Sequence, residues 1–124
     1  MGTKNFALEE FACQCPCRSN HTKLDLLYSL QHVRDIFEEA MVISSGYRCA
    51  KHNKEEGGSE DSSHIKGLAA DIVIPAPTYA FALMRAVMVT NRFNRVGFGK
   101  LPSGTLVLHV DIDKDKVQYV LWGY

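Results

Sequence analysis

The run LAADIVIP, residues 68–75, constrains this chain more than any other stretch. It reads as a buried strand stopped by Pro75, yet it carries a carboxylate, Asp71. Just upstream, SSHIKG places His64 seven positions before Asp71, with Gly67 between them. Seven residues of straight strand span roughly 23 Å. If the two side chains are to share a ligand, the chain must fold back between them, and Gly67 is where a reversal costs least.

The flanking pattern supplies the rest of a domain. LDLLYSLQHVRDIFEEA (24–40) reads as an amphipathic helix with Leu26, Leu30, Val33 and Phe37 on one stripe. MVISS (41–45) reads as a short strand ended by Gly46. Residues 50–63 are polar with a Gly-Gly pair, a loop long enough to suggest a functional role. TYAFALMRAVMVTN (78–91) reads as a second helix, its inner stripe Ala80, Leu83, Met84 and Val87. Strands are expected around 95–99, 105–112 and 116–123, the last two joined as a hairpin by DKDK. The expected fold is α+β, one domain over 1–124, a mostly antiparallel sheet with helices packed on it.

A third residue completes a set. On the strand TLVLHVDI, His109 shares a face with Val107 and Asp111, because alternate residues do. His64, Asp71 and His109 form a sulfur-free, three-ligand zinc pattern. Catalytic zinc sites use three protein ligands and leave a position for water, whose pKa falls to about 7. Taken singly, each residue also has a plain reading: a loop His as surface polarity, an Asp entering a strand as a cap or edge charge.

The segments SGYRCAKHN, SSHIKGLAADI and LHVDI stand in an order and spacing that resembles the zinc D-alanyl-D-alanine carboxypeptidase family. That family also includes vancomycin-resistance dipeptidases, phage endolysins and, in fold, the hedgehog signalling domain. Its pattern is S-G-[YF]-R, then S-x-H-x-x-G-x-A-x-D, then a His on a later strand. The resemblance is greatest to a compact bacterial and phage branch ending in H-V-D and a terminal W-G, here His109-Val110-Asp111 and Trp122-Gly123.

The resemblance implies a hedgehog/DD-peptidase-like fold and zinc bound by His64, Asp71 and His109. It implies that Arg48 faces the substrate, polarising the scissile carbonyl or holding a carboxylate. A guanidinium is an always-charged fork suited to either task; its plain alternative is a strand-end salt bridge. Ser62 matches the motif serine, expected to brace the loop at the substrate site. Gly67 and Ala69 match small positions expected to let the backbone approach the metal.

The pattern departs from the family at the general base. Many members carry an acid three residues before the last His ligand, where this chain has Leu106, and some carry a His two residues before it, where this chain has Val107. Asp111, roughly 7 Å along the strand from His109, is the replacement candidate for the base. Its rival role is to hold a ligand imidazole in one tautomer. His52 and Glu56 in the long loop are weaker candidates.

Cys13, Cys15, Cys17 and Cys49 stand apart from this set. They fit a second metal site, a disulfide pair outside the cytoplasm, or idle thiols.

Lys plus Arg and Asp plus Glu number 14 each, so no basic surplus points to nucleic acid. No stretch approaches a membrane span. The start, MGTKNFALEEF, lacks the apolar core of a signal peptide. With the resemblance, this implies a chain made in the cytoplasm and delivered to the wall by phage release or in a virion, the alternative being a cell-wall enzyme that has lost its leader; the compact length suggests a monomer. Two functions follow: a zinc peptidase acting on peptidoglycan stem peptides, or a zinc-containing recognition module that no longer hydrolyses.

Overall fold

The computed structural model describes residues 2–123. Its architecture is α+β, as expected. Helix α1, Leu24–Phe37, buries Leu26, Leu27, Leu30, Val33 and Phe37. It stops three residues short of the expected 24–40 boundary because Glu38 turns left-handed, at φ 62°, and its N–H closes on the carbonyl of Arg34.

Strand β1, Ile43–Ser45, is followed by α2, Ala50–Glu55. The 50–63 segment is thus not one continuous loop. The sulfur of Cys49 accepts the N–H of His52 and starts a short helix, and Gly57, at φ 76°, turns the chain beyond its end.

Strand β2, Ala69–Ile74, leads to α3, Pro77–Thr90. Proline opens α3, where no N–H donor is needed, and Asn91 closes it at φ 56°. Strands β3, Arg95–Lys100, β4, Leu106–Asp111, and β5, Val120–Trp122, complete a five-stranded sheet in the order β1-β2-β4-β3-β5.

One sheet face carries the core. Ala70, Ile72 and Ile74 of β2, Leu108 and Val110 of β4 and Val96 of β3 pack with α1 and with Leu83, Ala86 and Val87 of α3. Ala80 and Met84, also expected on the inner stripe of α3, pack partly buried against that core. Each fully buried side chain of this size contributes about 1.5–3 kcal/mol.

The expected hairpin of the last two strands does not form. β4 already has β2 on one edge and β3 on the other, so β5 has no free edge of β4 to join. It pairs in parallel with the outer edge of β3 instead. Gln118 helps to hold the crossing loop, its amide donating to the carbonyls of Asp113 and Lys116.

This pairing aligns one row across all five strands on the face opposite the helices. Ser45 pairs with Asp71, Asp71 with His109, His109 with Gly97, and Gly97 with Trp122.

Candidate metal centre

Asp71 and His109 belong to neighbouring central strands at one register position, which brings their Cβ atoms to about 5 Å. The Nδ1 of His109 lies 3.0 Å from the Oδ1 of Asp71. His64 comes from the turns that precede β2. Gly67, at φ 73°, reverses the chain there, and the N–H of Lys23 donates to its carbonyl at 2.9 Å. A Cβ at Gly67 would collide with the carbonyl of His21. This glycine therefore admits the segment before α1, rather than an approach of backbone to metal.

The His64 ring is 3% exposed, with its Nδ1 2.7 Å from the carbonyl oxygen of Gly46. A carbonyl only accepts, so Nδ1 carries the proton, and in the neutral ring Nε2 is a bare lone pair. Among the described residues, Nε2 of His64 is the one buried side-chain nitrogen or oxygen without a hydrogen-bond partner. It faces the Oδ1 of Asp71 at 3.3 Å. A lone pair buried against a carboxylate is repulsive unless a cation sits between them.

Ligand atoms of His64, Asp71 and His109 all lie within 4.8 Å of one another. Two imidazoles and a carboxylate suit zinc, and the orphaned nitrogen is what such a site leaves when described without its ion. The donor set fits a metal.

The electrostatics agree. Burial works against the charge of Asp71, but hydrogen bonding led by the His109 imidazole holds the carboxyl well below the usual range. Burial likewise works against the charge on His109, yet hydrogen bonds to Asp111 and Asp71 raise its pKa to about 9. A metal entering at neutral pH displaces that proton.

Arg48 follows β1 and reaches into the same cleft. Its Nε donates to the Oγ of Ser45 at 3.0 Å, one terminal nitrogen to Asn53 at 3.2 Å, and the other to the Oδ2 of Asp71 at 3.4 Å. One N–H on each terminal nitrogen remains unspent. Ser62 lines the cleft and braces the loop, its Oγ accepting the N–H of His64 at 3.2 Å.

Asp111 sits on the expected face, on the far side of the His109 ring from Asp71. Its Oδ2 is 2.8 Å from the Nε2 of His109. The Nε of Arg95 contacts both its oxygens, at 2.9 and 3.2 Å, and the N–H of Asp113 donates to Oδ1. Asp111 is 1% exposed. With both oxygens engaged, its geometry is that of a carboxylate fixing an imidazole, the rival role to proton abstraction.

Leu106 points largely to solvent and Val107 forms cleft wall. His52 and Glu56 pair at 3.4 Å on and just beyond α2, and the half-exposed Glu56 reaches the cleft rim.

Asp113 is a further buried carboxylate. It accepts from Ser63 at 2.8 Å and from Lys66 at 3.1 Å, clamping the His64 turns to the end of β4. Burial opposes its charge, but Lys66 and Ser63 hold its pKa down. Its contribution to stability is complete above about pH 4 and is lost as pH falls below that.

Several contributors were not singled out from sequence. Asn53 is buried and links Arg48 to the carbonyl of Ser59. Trp122 lies over Gly97, where a Cβ would strike the indole. It packs on the His109 ring at 5.4 Å and on the Arg95 guanidinium at 5.1 Å. The W-G pair marked Trp122 without a role, and Arg95 had no motif at all. The cleft has a volume of about 960 Å³, with Lys100 and Lys116 at its edges. The four cysteines gather at a separate place, their sulfurs within 4.8 Å of one another. Among the described residues, no helix is long and apolar enough to cross a membrane.

Comparison with known proteins gives one family. The model described as Peptidase M15 matches residues 4–111. That span includes Arg48, Ser62, His64, Asp71, His109 and Asp111, and it leaves β5 outside. No curated protein matches the chain.

Proposed function

The chain belongs to the peptidase M15 family of metallopeptidases, and from that premise we propose that it is a zinc enzyme hydrolysing stem-peptide bonds of peptidoglycan. The bond is a terminal D-Ala-D-Ala link or an internal one of the L-Ala-D-Glu type, in keeping with a phage lysin. The observation that carries the proposal is the bare Nε2 of His64, buried against Asp71 and His109, with Arg48 beside them. An open cleft edged by Arg48, Lys100 and Lys116 also suits a peptide that carries carboxylates.

Nε2 of His64, Nδ1 of His109 and a carboxylate oxygen of Asp71 would hold the zinc. When bound, zinc supplies Lewis acidity and lowers the pKa of water to about 7. Arg48 keeps its anchors on Ser45 and Asn53 and turns its remaining N–H groups to the substrate carbonyl or carboxylate. Ser62 keeps His64 in place at the substrate site.

We assign Asp111 to positioning: it holds the proton on Nε2 of His109 so that Nδ1 is left to bind. The carboxylate left at the cleft for moving protons is Glu56. Replacing Asp111 by Asn should weaken zinc binding about 10- to 100-fold, with activity falling alongside. Zinc titration of the variant checks this. Full affinity with no hydrolysis would return Asp111 to the role of base.

The test of function is digestion of purified muropeptides with and without chelator, read by mass spectrometry. Cleavage lost on chelation and restored by zinc is expected, and the fragment masses name the bond. One observation favours a second reading, a recognition module: Asp111 is fully engaged, and Leu106 and Val107 fill the places where relatives carry a base. Binding of muropeptides without cleavage, zinc in place, would establish that reading instead.

A further inference from the structure

We propose that Cys13, Cys15, Cys17 and Cys49 hold a second zinc ion, structural rather than catalytic, which ties the N-terminal arm to the segment that carries Arg48. The proposal stands apart from the peptidase reading and uses none of its residues as ligands.

The sulfurs converge from two places far apart in sequence. Cys13 to Cys17 belong to one turn, closed by the N–H of Cys13 on the carbonyl of Ser19 and by the N–H of Arg18 on that of Cys15. Cys49 arrives from the start of α2. The sulfur of Cys15 is the centre of the group, 3.5 Å from Cys13, 3.0 Å from Cys17 and 3.6 Å from Cys49. A disulfide joins two sulfurs and leaves the others without purpose, whereas here one sulfur has three sulfur neighbours. Apolar packing does not explain the cluster either, because Cys17 is exposed and Cys15 and Cys49 are only half-buried.

Donors are aimed at the sulfurs as they are around metal-bound thiolates. The N–H of Cys49 points to the sulfur of Cys13 at 3.4 Å, and that of His52 to Cys49 at 3.4 Å. The hydroxyl of Ser19 lies 3.2 Å from Cys17. Such hydrogen bonds favour the charged form of a sulfur. Four thiolates with no carboxylate or imidazole among them select a soft, tetrahedral ion, and a closed four-ligand set is the pattern of structural zinc.

The consequence reaches the cleft. Cys49 directly follows Arg48, and α2 carries Asn53, which holds one end of the Arg48 guanidinium. The arm is seated on this segment too: the N–H of Tyr47 donates to the carbonyl of Phe11 at 2.8 Å, and a Cβ at Gly46 would strike Phe11. Removing the second ion frees the 47–53 segment, and with it the arginine.

Elemental analysis and cobalt substitution test the proposal. Protein produced reduced and with zinc should contain two zinc ions per chain. Cys15→Ser and, separately, Cys17→Ala should each contain one, and so should His64→Ala. Cys17 is exposed, so its replacement spares the core. Cobalt-loaded His64→Ala should keep an intense sulfur-to-cobalt charge-transfer band that both cysteine variants lack. With the catalytic zinc retained, the cysteine variants should lose about tenfold or more in kcat/KM. The same zinc content in the unaltered protein and in both cysteine variants, no charge-transfer band, or a mass reduced by two hydrogens for each disulfide formed would overturn it. Failure here leaves the His64 site untouched, and failure of the His64 site leaves this one to be counted by itself.

Discussion

Replacing His64 by alanine is expected to remove one zinc ion per chain and to lower hydrolysis by about four orders of magnitude or more, as losses of an essential catalytic group do. The size follows from the donor geometry. His64 is the candidate ligand from outside the sheet, and its Nε2 is, among the described residues, the buried atom that has no other partner. Without it, Asp71 and His109 remain 3.0 Å apart and bond to each other, which closes the space that an ion needs. Alanine at 64 also leaves a cavity and an unpaired Gly46 carbonyl, so this variant should melt below chelated wild-type protein. Metal content, thermal melting with and without chelator, and muropeptide cleavage check the three parts. Full activity in this variant would end the zinc account.

The second large effect concerns Arg48. Arg48→Ala should lower kcat by about 100- to 1,000-fold, the range for loss of one preorganised donor to a developing oxyanion, with zinc retained. Arg48→Lys should rescue little. A lysine ammonium cannot hold Ser45 and Asn53 and still present a second N–H to substrate, because the fork geometry is what allows both. If Arg48 serves only as an ion-pair partner of Asp71, lysine will substitute well, and alanine will change metal affinity more than kcat. Steady-state kinetics of both variants beside a zinc titration separate the two roles.

Much of this architecture was legible in the residues because periodicity reports burial directly. The stripe on α1 and the apolar run of β2 each named a buried face, and the row of Val107, His109 and Asp111 named the opposite one. What was hidden depends on partners distant in sequence. The edge that β5 joins is decided by β2 and β3 having already taken both sides of β4, which no local pattern in 116–123 can express. The short helix α2 rests on a sulfur cap at Cys49, a residue that signals chemistry before it signals a helix start. The full engagement of Asp111 became visible only through Arg95, which lies opposite it on β3. Gly67 was noticed for the right property, its left-handed freedom, but the neighbour that demands a missing side chain is His21.

The row that crosses the sheet has an implication for how such a chain diversifies. Asp71 and His109 stand on strands with neighbours on both sides, the positions slowest to open by local fluctuation. The walls of the cleft, by contrast, draw heavily on connecting segments: 56–63, Leu101 and Pro102, and Lys116. Insertions or exchanges in those connections can remodel which peptide is admitted while both strand-borne donors keep their spacing. Two of the three candidate ion donors are thus insulated from changes in the cleft walls, whereas His64, braced by Ser62 and tied down through Ser63, couples the third to the 56–63 wall.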